Sequence, residues 1–149
     1  MILAALLLAQ AAAPACPTTP AALPAQLAGW RTSGDDLASG KAVTLDTWDP
    51  RTVRMLDVPL PQRPGRAANR AFRIKTSGTY GIALDQKGWI DLYRLRETTP
   101  IASTAHGHGP ACSGIRKIVR FALTPGEYQV VVGGLDSPQA KLLLVSDAK

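Results

Sequence analysis

No stretch of this chain approaches the ~20 consecutive apolar residues that a membrane-spanning helix needs, so a helical span is not expected. No run repeats apolar residues at a period of 3.6 over several turns, which removes a helical bundle from consideration. The G-x-S-x-G elbow, the H-E-x-x-H pair, the P-loop and a G-x-G-x-x-G after a strand are all missing. Their absence removes the sequence signatures of serine hydrolases, zincins, phosphate-loop enzymes and dinucleotide enzymes. Aromatic residues are 5% of the chain, and few fall among the six arginines between positions 51 and 73. Base stacking on single-stranded nucleic acid needs that interleaving, so nucleic acid is not an expected partner.

What is present is alternation at period two. Phe72-Arg-Ile-Lys-Thr-Ser-Gly78-Thr-Tyr80-Gly-Ile82-Ala-Leu84 and Phe121-Ala-Leu-Thr-Pro-Gly126-Glu-Tyr128-Gln-Val130-Val-Val132 carry one phrase twice. Each has an alternating run, a turn containing Gly, a Tyr two residues later and a second alternating run. Alternation sends one set of side chains to each face of a strand. A Gly between two such runs predicts a hairpin. Tyr80 and Tyr128 are expected to face inward, in a corner-type hydrogen bond. Further strand-like runs cover Lys41–Asp46, Thr52–Val58, Trp89–Leu95, Ile101–Thr104, Ile115–Leu123 and Gln139–Val145, with turns at Pro59–Gly65, Gln86–Gly88 and Gly133–Pro138. The count of about eight strands predicts an all-β, single antiparallel β-sandwich, jelly-roll-like, over residues 41–149.

Before that domain, Met1–Ala9 is a short apolar run followed by small residues through Ala15, the pattern of a signal peptide over residues 1–15. Residues 16–40 read as a Pro-rich extended lead-in: Pro17, Pro20 and Pro24 remove backbone donors. Trp30 is expected to anchor it on the domain. Export makes the two cysteines, Cys16 and Cys112, a disulfide pair, 96 residues apart. The location expected is periplasmic or secreted. The formal net charge is +6, with all Lys and Arg beyond residue 30. Such an excess suits anionic partners, or serves as a solvated outward face.

His106-Gly-His108-Gly-Pro-Ala-Cys112-Ser-Gly114 gathers both histidines of the chain beside a cysteine. Two readings compete. Two imidazoles on an extended backbone would hold iron or another divalent metal, with Asp85, Asp91 or Glu97 as third ligand. Alternatively the loop requires no cofactor: Gly107, Gly109 and Pro110 shape it, Cys112 is bridged, and the histidines cap backbone groups or face solvent. Ser113 lies near His108 in sequence without forming a recognisable dyad. Asp35, Asp36, Asp46 and Asp49 sit where Asp is common for local hydrogen bonding. Trp48 and Trp89 are the residues that would line a sugar-binding face.

Two resemblances rest on these residues. The Ser-Gly-Thr-Tyr and Leu-Thr-Pro-Gly-Glu-Tyr phrases between Phe72 and Val132 resemble the bacterial pre-peptidase C-terminal domain. That resemblance implies a jelly-roll sandwich acting as an accessory or binding module. The Cys-Pro start, Leu-Ala-Gly-Trp30 and His106-Gly-His-Gly-Pro-Ala-Cys-Ser-Gly-Ile-Arg-Lys117 are similar to short exported bacterial proteins that carry the label homogentisate 1,2-dioxygenase. This second resemblance implies ring-cleaving, iron-dependent cupin chemistry with His106 and His108 as ligands. The cupin pattern also has a Glu after the His pair, and none follows His108 at that interval. The function expected is a binding or structural module, with a cell-envelope component, another exported protein or an anionic glycan as partner; the alternatives are a cupin-like iron dioxygenase using His106 and His108, and a carbohydrate-binding module using Trp48 and Trp89.

Overall fold

Period-two patterning does produce two stacked antiparallel sheets. The computed structural model describes residues 14–52, 59 and 63–147. The signal-peptide residues 1–13 and all but Thr52 of the expected strand Thr52–Val58 lie outside those residues. The strands are β1 (Val43–Asp46), β2 (Arg66–Ile74), β3 (Gly78–Leu84), β4 (Trp89–Arg94), β5 (Ala105–Gly107), β6 (Lys117–Leu123), β7 (Gly126–Leu135) and β8 (Gln139–Ser146). One sheet has the order β1-β8-β3-β6-β5 and the other β2-β7-β4. Successive strands therefore change sheet at every step except β5 to β6, which is the jelly-roll manner of winding.

This order corrects the hairpins expected from the repeated phrase. β2 pairs with β7, with Phe72 opposite Tyr128 and Ile74 opposite Gly126. β3 pairs with β6 and β8, with Tyr80 opposite Phe121 and Ile82 opposite Leu144. The turns after Ile74 and after Leu123 are thus corners that carry the chain from one sheet to the other. A tight turn between alternating runs serves either purpose, because both place the flanking apolar side chains inward. Each tyrosine closes its corner with a hydrogen bond to the carbonyl four residues earlier. Tyr80 Oη donates to the Thr76 carbonyl at 2.8 Å, and Tyr128 Oη donates to the Thr124 carbonyl at 2.7 Å.

The inward set forms the main core: Phe72, Ile74, Ile82, Leu84, Leu92, Phe121, Tyr128, Val130, Leu142 and their neighbours. β7 runs past the expected end at Val132 to Leu135, because β2 and β4 flank it on both sides and complete its ladder through Gly133. The expected turn at Gly133–Pro138 shortens accordingly.

A third layer covers the outer face of the five-stranded sheet. Ala25–Arg31, placed in an extended lead-in by its prolines, instead winds as a 3-10 helix starting directly after Pro24 (φ −50°). A proline's fixed φ suits a helix start, where its missing N–H is no loss. Leu27 and Trp30 of this turn pack with Ala83, Ile115, Ile118, Leu143 and Val145. Trp30, 4% exposed, is the anchor anticipated for it. The Cys16–Cys112 disulfide forms, with Cα atoms 5.5 Å apart, and ties this layer to the β5–β6 connection.

One departure from an even sandwich creates an opening beside β4. The strand in the 96–114 region is Ala105–Gly107 and not Ile101–Thr104. Ile101 N–H donates to the Leu92 carbonyl at the β4 edge (2.7 Å), after which the chain leaves for β6. β5 is three residues long and fully exposed, so it brings no apolar side chain that would hold it beside β4. It pairs with β6 instead, with His106 opposite Val119. The β4 and β5 edges diverge, and a cleft opens between them.

Candidate functional site

The cleft consists of two adjoining hollows of about 280 Å³ and 410 Å³, both lined by Trp89, His106 and Lys117. Trp89 is the first residue of β4 and faces Gly133 of β7 across the ladder. With no side chain opposite, the indole stays half-open: at 47% it is the one exposed large apolar side chain among the described residues. Gly88 just before it is needed for close approach. A Cβ there would stand 2.6 Å from Leu135 Cδ2 and 3.2 Å from the Gly133 carbonyl oxygen.

Cations gather around this ring. The Arg63 guanidinium carbon lies 3.6 Å from the indole centroid, and Lys117 Nζ lies 4.9 Å from it. Both distances fall within the range of cation–π attraction. Lys117 Nζ also donates to the Gly88 carbonyl at 3.1 Å, which fixes the ammonium at the mouth of the cleft. The smaller hollow is lined by Lys87, Arg116 and both histidines as well, and by no carboxylate. The larger one holds a single acid, Asp91. Burial pushes the Asp91 carboxyl above its usual range, and the charges of Arg63 and Lys117 pull the other way by less. Burial, with a smaller contribution from the Asp91 charge, likewise raises Tyr93, the next residue on the same face.

The histidine loop is shaped by close backbone packing and by the disulfide. Gly109 lies against Ile115, where a Cβ would be 2.4 Å from Ile115 Cβ, so only glycine allows that contact. Cys112 is bridged and offers no thiolate. His108 Nδ1 is 3.1 Å from the Arg116 carbonyl oxygen, which can only accept, so Nδ1–H is the donor and the bond ties the ring to the chain just before β6. His106 sits on β5, exposed, across from Val119. Among the described residues, no three His, Cys, Asp or Glu side chains are grouped so as to hold a metal ion. The structure thus brings His106, His108 and Trp89 into one cleft. Of the proposed third ligands, only Asp91 lines it.

Trp48, expected to share a face with Trp89, is elsewhere. It exchanges two 2.8 Å backbone hydrogen bonds with Ala67, is half-buried, and its Nε1 is buried with no partner among the described residues. Arg63 and Lys117 were invisible as site residues in the sequence: they stand 26 positions before and 28 after Trp89, joined to it only by the fold. Among the described residues no helix is long and apolar enough to cross a membrane. Comparison with protein-family models, with curated proteins and with solved structures returned no match.

Proposed function

We propose that the protein is an exported β-sandwich binding module, working in the periplasm or outside the cell, whose ligand is a glycan of the cell envelope. The observation that carries this reading is Trp89, an indole left 47% exposed at the mouth of a cleft between two sheet edges. A flat indole at the mouth of a cleft with polar and charged side chains around it can lie against a sugar ring while those neighbours hydrogen-bond the ring's hydroxyls. The disulfide favours an oxidising compartment, in keeping with the N-terminal signal pattern. A glycan array probed with the mature protein tests the reading. Binding that disappears in Trp89→Ala and survives in Trp48→Ala supports it; no binding to any glycan, or equal loss in both variants, overturns it.

A further inference from the structure

The way Trp89 is surrounded says which glycans. We infer that the cleft selects acidic glycans, holding a carboxylate or sulfate between Arg63 and Lys117 while the sugar ring lies against Trp89. This rests on the glycan reading above and adds the ligand's charge to it. A neutral sugar approaching the indole meets a guanidinium already 3.6 Å from the ring centroid. It must displace that cation–π contact and returns only neutral hydroxyl acceptors to the cation. An anionic sugar pairs with the same guanidinium and with the Lys117 ammonium, so both contacts are replaced by charge-assisted hydrogen bonds. Arg116 and Lys87, on the carboxylate-free side, extend the positive field toward the next residue of a polymer. Asp91 is the opposing charge. It lines the larger hollow within electrostatic reach of Arg63 and Lys117, whereas the smaller hollow has no carboxylate, so an acid group is favoured on the smaller hollow's side of Lys117.

The test titrates the whole mature chain with an oligogalacturonate and with a neutral galactan oligosaccharide of matched length, by calorimetry at low salt. The acid oligomer should bind about tenfold more tightly or better, as two or three exposed charge contacts allow. Its affinity should fall as salt rises from about 50 to 500 mM, because the contacts are at the surface. Lys117→Gln should remove most of the preference. Arg116→Gln, at an exposed side chain with no hydrogen bond or ion pair among the described residues, should weaken acid binding without touching the fold. Arg73→Gln, paired with Glu127 away from the cleft, should have no effect. Equal affinity for the two oligomers overturns the charge selection and leaves the glycan reading standing. Binding of neither oligomer by a protein that is also silent on the array overturns both. Acid binding that is indifferent to Trp89→Ala, or reduced as much by Arg73→Gln as by Lys117→Gln, marks non-specific attraction to the basic surface and overturns the inference.

Discussion

Removing one hydroxyl at each of two equivalent corners gives an internal control on the fold. Tyr128→Phe and Tyr80→Phe delete the same atom from the same kind of turn, yet the surroundings differ. Tyr128 is 1% exposed, stacks with Phe72 at a centroid distance of 6.0 Å, and its Oη has two backbone partners. It donates to the Thr124 carbonyl and accepts from the Thr124 N–H at 3.2 Å. Tyr80 is only partly buried and makes one bond, to Thr76, where water reaches. A buried hydroxyl lost with two partners left unpaired costs about 1.5–3 kcal/mol, whereas one exposed bond that water replaces costs about 0.5–1 kcal/mol. Urea unfolding of the oxidised protein should therefore show Tyr128→Phe destabilised by the larger amount, with an unchanged dependence on urea concentration. The two hydroxyls have no hydrogen-bond partner in common, so the double variant should be close to additive. A cost for Tyr80→Phe equal to or above that of Tyr128→Phe would refute the assignment of the second corner to the interior.

The remaining predictions concern the layers, the cleft and pH. Replacing both cysteines by serine releases a 96-residue loop, worth about 4.7 kcal/mol in the chain-entropy treatment. Because residues 14–22 are exposed and regain freedom in the folded state, the measured loss should be nearer 2–4 kcal/mol; a variant as stable as the parent would sink this account of the staple. Trp30→Ala should cost about 3–5 kcal/mol as a core deletion. Trp89→Ala should cost about 1 kcal/mol or less while abolishing glycan binding, and differential scanning calorimetry separates the two. Burial raises Asp91, so its proton is held more tightly in the folded chain than in the unfolded one. Its contribution is present at acid pH and is lost as pH climbs through the raised value. Asp91→Asn should accordingly be more stable than the parent at pH 7 and no more stable at pH 3, and an advantage that is largest in acid would show the sign to be wrong.

The local alternation of Phe72, Ile74, Tyr80, Ile82 and Leu84 was enough to say that the chain makes sheets and which side chains face inward, because a strand's period of two depends on nothing distant. The Cys16–Cys112 pairing and the Tyr corner bonds were also readable, the first from having only two thiols in an exported chain, the second from a Tyr two residues after each turn Gly. Whether a tight turn closes a hairpin or carries the chain across to the opposite sheet was not, since the same turn residues and inward side chains serve both and the choice is made by hydrogen-bond partners fifty residues away. The 3-10 turn at Ala25–Arg31 was obscured for a related reason: its prolines argue for extension until the sheet's outer face supplies an apolar surface for Leu27 and Trp30. The cleft belongs wholly to tertiary structure. Trp89 acquires Arg63, Lys117 and the histidine loop only when β5 leaves the β4 edge, and no pattern within one segment encodes where three separate segments will meet.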